Sequence, residues 1–161
     1  MRSWASVSKL RTGIAIIVGL FLLIQLVPYG RDHANPPVTR AAKFDSSKTE
    51  MLVNQACSDC HSNLTTWPID SNIAPASWLI QHDVDGGRQR LNFSEWDHPQ
   101  PGLDELTQKI KSGEMPPLQY KILHPSARLS DSEKATLVSG LTKTYGQDPP
   151  ITGGTEVGDG D

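Results

Sequence analysis

Cysteine is nearly absent from this chain of 161 residues: there are two, Cys57 and Cys60, and both fall within one five-residue stretch. A structural zinc site is therefore short of ligands, because it wants four and uses paired Cys or His motifs. The other histidines (His33, His82, His98 and His124) stand apart from one another. Basic residues are not in excess: the formal charge is -3 and the pI ≈ 5.9, which leaves no electrostatic footprint for nucleic acid. No internal repeat is visible, and no alternating run reads as a strand. A thioredoxin-like redox pair is disfavoured for that reason, since no hydrophobic strand precedes Cys57. A plain disulfide between the two cysteines stays open, because it needs only an oxidising compartment.

The stretch itself is Cys57-Ser58-Asp59-Cys60-His61. C-x-x-C-H reads as attachment of a c-type haem. One helical turn presents both thiols to the porphyrin edge, and the adjacent histidine can supply the proximal nitrogen to iron. The expected cofactor is one covalently attached haem c, on Cys57 and Cys60, with His61 as the proximal ligand.

Residues 1–30 form a separate object. Arg2, Lys9 and Arg11 give a basic start, and an apolar run from Gly13 to Val27 is broken only by Gln25. The run is about long enough to cross a bilayer. It is followed by Pro28-Tyr29-Gly30-Arg31-Asp32, without a convincing small-x-small cleavage site, so an uncleaved signal-anchor is favoured over a cleaved signal peptide. The basic flank places the N-terminus in the cytoplasm and the domain on the periplasmic side. A buried core helix is disfavoured because no polar face interrupts residues 14–24.

The remainder divides into a linker at 31–45, stiffened by Asn35-Pro36-Pro37, a haem-binding domain at 46–146 and a disordered acidic tail at 147–161. About four helices are predicted in the domain. The first starts at the capping box Ser47-Lys48-Thr49-Glu50 and runs into the cysteine motif. The second starts at Pro75 and ends near Asp85-Gly86-Gly87. The third carries Leu103, Leu106 and Ile110 on one stripe and ends at Gly113. The fourth starts at the Ser130/Glu133 capping box and runs to about Tyr145, stopped by Gly146.

A low-spin haem needs a second axial ligand. Beyond the anchor only Met51 and Met115 offer sulfur. Met51 precedes Cys57 on the same helix and reads as core. Met115, in Gly113-Glu114-Met115-Pro116-Pro117, is held by two prolines and is the expected distal ligand. His82 is the alternative, and a five-coordinate or water-ligated iron is a third possibility. Trp67, Trp78, Trp96 and Tyr120 are candidates for the haem pocket, and Arg88, Arg90 and Arg128 for propionate partners.

These residues resemble the haem-binding domain family of small c-type-cytochrome-like proteins. The resemblance rests on Val27-Pro28-Tyr29-Gly30-Arg31, Asn35-Pro36-Pro37, the C-x-x-C-H stretch with Ser62-Asn63, and Trp67-Pro68. It continues through Ile73-Ala74-Pro75-Ala76-Ser77-Trp78-Leu79-Ile80, His82-Asp83-Val84, Leu91-Asn92-Phe93-Ser94-Glu95-Trp96, the Met115 loop and Leu129-Ser130. The order of motifs is also similar to that of a mono-haem class I cytochrome c. The resemblance implies an all-α, cytochrome c-like mono-haem domain behind an N-terminal transmembrane helix.

The expected role is electron carriage by Fe(III)/Fe(II) cycling, with unidentified redox partner proteins and no catalysed reaction. A haem-based sensor or small-ligand-binding protein is the alternative and needs a displaceable sixth site. A peroxidase-like enzyme ranks lowest, since only His82 could act as a distal acid or base and there is no second C-x-x-C-H.

Overall fold

A computed structural model describes residues 4–152, with side chains from residue 7 onward. The basic start at Arg2 and residues 153–161 of the expected tail lie outside the described residues. The described chain is helical: α1 (Trp4–Ile24), α2 (Ser47–Ala56), α3 (Ser58–His61), α4 (Ala76–Arg90), α5 (Leu103–Lys111), α6 (Leu118–Leu123) and α7 (Asp131–Gln147). Two short strands, β1 (Pro99–Gln100) and β2 (Ile151–Thr152), pair in parallel. The all-α architecture behind an N-terminal apolar helix is as expected from the sequence.

The chain falls into two compact units, divided differently from the sequence reading. One comprises the chain up to Ala34 together with Trp67–Asp83; the other comprises Asn35–Thr66 and everything from Val84 on.

In the first unit α1 is long and apolar enough to cross a membrane over Val7–Ile24, and none of that stretch is buried. The end of the helix is tied down rather than leading into a free linker. The Gln25 amide accepts from the Ala74 N–H at 3.0 Å and donates to the Ala74 carbonyl at 2.9 Å. Arg31 donates to the same Gln25 side chain at 2.9 Å. His33 stacks on Trp67 with centroids 4.9 Å apart, and the Ser71 hydroxyl lies 2.8 Å from its Nε2.

The second unit is built on α2 against α7. Leu52 and Val53 from α2 and Leu137 and Leu141 from α7 are buried in one cluster with Leu91, Phe93, Trp96 and Ile110. Each such side chain contributes about 1.5–3 kcal/mol when fully removed from water. Trp96 is the largest of them and has no exposed surface. It stacks on Phe93 at 5.7 Å and meets Tyr145 edge-on at 5.3 Å.

The caps follow local chemistry, with one shift. α2 is capped by Ser46, whose hydroxyl accepts from the Thr49 N–H, so the helix starts one residue earlier than the expected box. With Ser46 as the cap, the buried Thr49, and not Glu50, takes the third helical position. α7 carries the expected reciprocal Ser130/Glu133 box. It continues through Gly146 to Gln147, because Asp148 closes it by donating its N–H to the Thr144 carbonyl.

Asp148 also corrects the expected tail. Its carboxylate pairs with Arg40 and accepts from the Lys43 N–H at 2.9 Å, and its carbonyl accepts from the Trp96 indole at 2.7 Å. Residues 147–152 are therefore structured. The expected linker at 31–45 is likewise folded: the Ala42 N–H donates to the Phe93 carbonyl at 2.8 Å, and the Trp96 N–H to the Arg40 carbonyl at 2.8 Å.

Candidate functional site

The C-x-x-C-H stretch occupies its own turn. α2 ends at Ala56, Cys57 leaves helical geometry at φ -130, and Ser58–His61 form α3. The thiols of Cys57 and Cys60 thus fall three residues apart on one turn, and no disulfide joins them. Burial pushes the Cys57 thiol up to about 12, with the neighbouring Cys60 adding to the shift. A dithiol redox pair needs the opposite, a thiol well below its ordinary range. The zinc alternative also lacks ligands, since among the described residues no three His, Cys, Asp or Glu side chains gather.

His61 is oriented by the last turn of α4. Its Nδ1 lies 3.0 Å from the Gly87 carbonyl and 3.1 Å from the Leu91 carbonyl. Carbonyls only accept, so Nδ1 carries the proton and Nε2 keeps its lone pair. Burial lowers the pKa of the ring, and the two backbone bonds oppose that only in part, which favours the neutral imidazole. A neutral imidazole with Nδ1 fixed by a carbonyl is what a metal-ligating histidine needs. The His61 carbonyl is fixed as well, accepting from the Phe93 N–H at 2.9 Å.

This approach explains why α4 runs through Gly86 and Gly87 to Arg90 instead of stopping at the glycine pair. A Cβ at Gly87 would collide with the Cys60 carbonyl. With no side chain, Gly87 lets the helix pass against the C-x-x-C-H turn.

Asp59, one of the two intervening residues, braces the turn from the other direction. Its carboxylate accepts from the Tyr120 hydroxyl at 2.6 Å and from the Thr66 N–H at 3.1 Å. Its own carbonyl accepts from the Thr65 hydroxyl at 2.7 Å. Burial first, then the Asp59 bond, raises the Tyr120 pKa, so the phenol remains a donor.

Behind the turn lies a buried polar network. The Asn63 side chain donates to the Pro37 carbonyl at 3.0 Å and to Glu95 at 2.8 Å, and accepts from Asn92 at 2.8 Å. Gln100 accepts from the Asn92 N–H at 2.9 Å. Arg88 is spent on this scaffold: it donates to the Ser62 carbonyl, the Asn35 side chain and the Thr65 hydroxyl, each at 2.8 Å. The Arg128 guanidinium closes α6 by donating to the Lys121 carbonyl at 2.7 Å. Arg90 is exposed.

The remaining candidates separate. Met115 and Tyr120 belong to the same unit as Cys57, Cys60 and His61. Met115 is half-buried, in a loop shaped by Gly113, whose φ of +75 suits glycine. The Met115 N–H donates to the Lys109 carbonyl at 3.1 Å. Met51 is exposed on α2 rather than core. Trp96 is in the core of this unit, with its indole N–H spent on Asp148. Trp67, Trp78 and His82 belong to the other unit. His82 is exposed there, and the Trp78 indole N–H is shielded from water with no acceptor.

Sequence reasoning passed over Asp59, Asn63 and Gly87 as site residues. The first occupies a position the motif leaves variable, and the other two act through partners 26 to 32 residues away.

A family model described as the haem-binding domain matches residues 19–143. No curated protein and no solved structure matches the chain.

Proposed function

Because this chain belongs to the haem-binding domain family, we propose that it is a membrane-tethered mono-haem c-type cytochrome that carries electrons. The group supplies one-electron exchange between Fe(III) and Fe(II). The chain's part is to hold it and fix its ligands. Cys57 and Cys60 would hold it covalently, each S–H adding across one vinyl double bond, sulfur to one carbon and hydrogen to the other, so attachment would need no oxidant. His61 would supply a nitrogen to the iron through Nε2, and Met115 would supply a sulfur.

The observation that carries this reading is the His61 ring. A half-buried histidine whose Nδ1–H is taken by two backbone carbonyls has one nitrogen left to offer, which supports its reading as an iron ligand. The thioether sulfurs then lie on the same turn as the iron ligand.

The anchor reading rests on α1, apolar over Val7–Ile24. In the proposal it keeps the protein at the membrane, with the haem domain on the periplasmic side, close to membrane-bound donors and acceptors.

The test is intact mass of the full chain, produced with a haem-attachment system and then denatured. One haem retained through denaturation is the expected result. A chain that keeps no haem after denaturation, or keeps it unchanged when Cys57 and Cys60 are both replaced by Ala, overturns the covalent assignment.

A further inference from the structure

The loop that carries Met115 has to stay in place for a thioether sulfur, a weak ligand, to compete with water. The structure shows what holds its two ends. On the α5 side the Met115 N–H donates to the Lys109 carbonyl at 3.1 Å. On the other side Pro117 leads directly into α6, and two contacts from α6 reach outward. Lys121 Nζ donates back to the Gly113 carbonyl at 3.2 Å, which closes the loop on itself. The Tyr120 hydroxyl donates to Asp59 at 2.6 Å, which joins the loop to the C-x-x-C-H turn.

We propose that Tyr120 is a positioning residue that locks the Met115 loop onto the haem-attachment turn through Asp59. The proposal rests on the reading of Met115 as distal ligand. Both partners are prepared for the task. The Asp59 carboxylate is held in place by the Thr66 N–H on its other oxygen. The Tyr120 ring is held by stacking on His124, with centroids 4.0 Å apart and planes 16° apart. A charged acceptor and a short separation make this the stronger class of hydrogen bond. Tyr120 is therefore a latch on the loop, a role beyond the haem wall the sequence suggested for it.

The experiment follows how fast added imidazole displaces the methionine in the loaded ferric protein, since displacement needs the loop to open. Tyr120→Phe removes the hydroxyl and keeps the ring on His124. About tenfold faster displacement is expected, the scale of a charge-assisted hydrogen bond. Asp59→Asn, which keeps an acceptor oxygen without the charge, should give a smaller acceleration. Asp59→Ala combined with Tyr120→Phe should be no faster than the faster single variant, because both remove the same Tyr120–Asp59 contact. Ser130→Ala, which weakens the α7 cap and touches neither partner, should leave the rate unchanged.

In the unloaded chain, Tyr120→Phe should also speed amide exchange across residues 113–117. Displacement at the parent rate in Tyr120→Phe, or full additivity in the double variant, overturns the latch. Where Tyr120→Phe fails to fold, a parent rate in Asp59→Ala overturns it equally. Met115→Ala separates the two levels: if it leaves the spectrum unaltered, the ligand reading falls, whatever the latch does.

Discussion

The Nδ1 of His61 lies 3.0 Å from the carbonyl oxygen of Gly87, a residue chosen by what it lacks. The same glycine accepts the histidine Nδ1–H hydrogen bond through its carbonyl and, having no side chain, lets α4 press against Cys60. Orientation of the His61 ring and packing of the C-x-x-C-H turn are one interaction.

Gly87→Ala should therefore damage both. The new methyl group meets Cys60 backbone, which cannot swing aside as a flexible side chain would. A loss of about 2 kcal/mol is expected from such overpacking, together with reduced haem loading. Urea midpoints of the unloaded chain and haem content after co-expression check it; an unchanged midpoint would contradict the packing.

Trp96→Phe tests the link between the core and the start of the expected tail. It removes the indole N–H bond to the Asp148 carbonyl and shortens the edge contact on Tyr145. About 2 kcal/mol of stability should be lost, and Ile151–Thr152 should loosen from β1. Amide exchange at Thr152 reads the second effect directly.

Gln25→Ala tests whether the end of α1 is part of the folded unit. The substitution deletes both bonds to Ala74 and the Arg31 contact. Proteolysis within residues 25–34 should accelerate severalfold, as two to three ordinary hydrogen bonds are lost. A cleavage rate equal to that of the parent would mean that the contact contributes nothing.

The Ser130/Glu133 box sets a pH dependence. Hydrogen bonds from Ser130, side chain first and then backbone, hold the Glu133 carboxyl below its ordinary 4.5. Its folded pKa is thus lower than its unfolded one. The contribution is fully present above pH 4.5 and is lost as pH falls through the folded value. Glu133→Gln should flatten the acid limb of the stability curve, measured by urea unfolding at pH 3 to 6.

What the sequence revealed was local chemistry. The C-x-x-C-H spacing, the Ser130/Glu133 box and the apolar stripe Leu103, Leu106 and Ile110 each act within a turn or two, and each appears where it was expected. What it hid was decided by distant partners. Gly86-Gly87 reads as a helix stop, yet the helix continues because Cys60 needs the space. Asp148 reads as an acidic tail, yet Arg40, Lys43 and Trp96 all converge on it. α6 was not foreseen, since Leu118, Ile122 and Leu123 are exposed and leave no amphipathic signal.

The electron-carrier claim depends on a held sixth ligand, and a visible spectrum of the loaded, reduced protein before and after carbon monoxide reads that directly. A low-spin spectrum that carbon monoxide leaves in place, and that becomes sensitive to it in Met115→Ala but not in His82→Ala, is the expected result. A rapid shift on adding carbon monoxide to the parent protein would contradict the account and make ligand sensing the role of this haem.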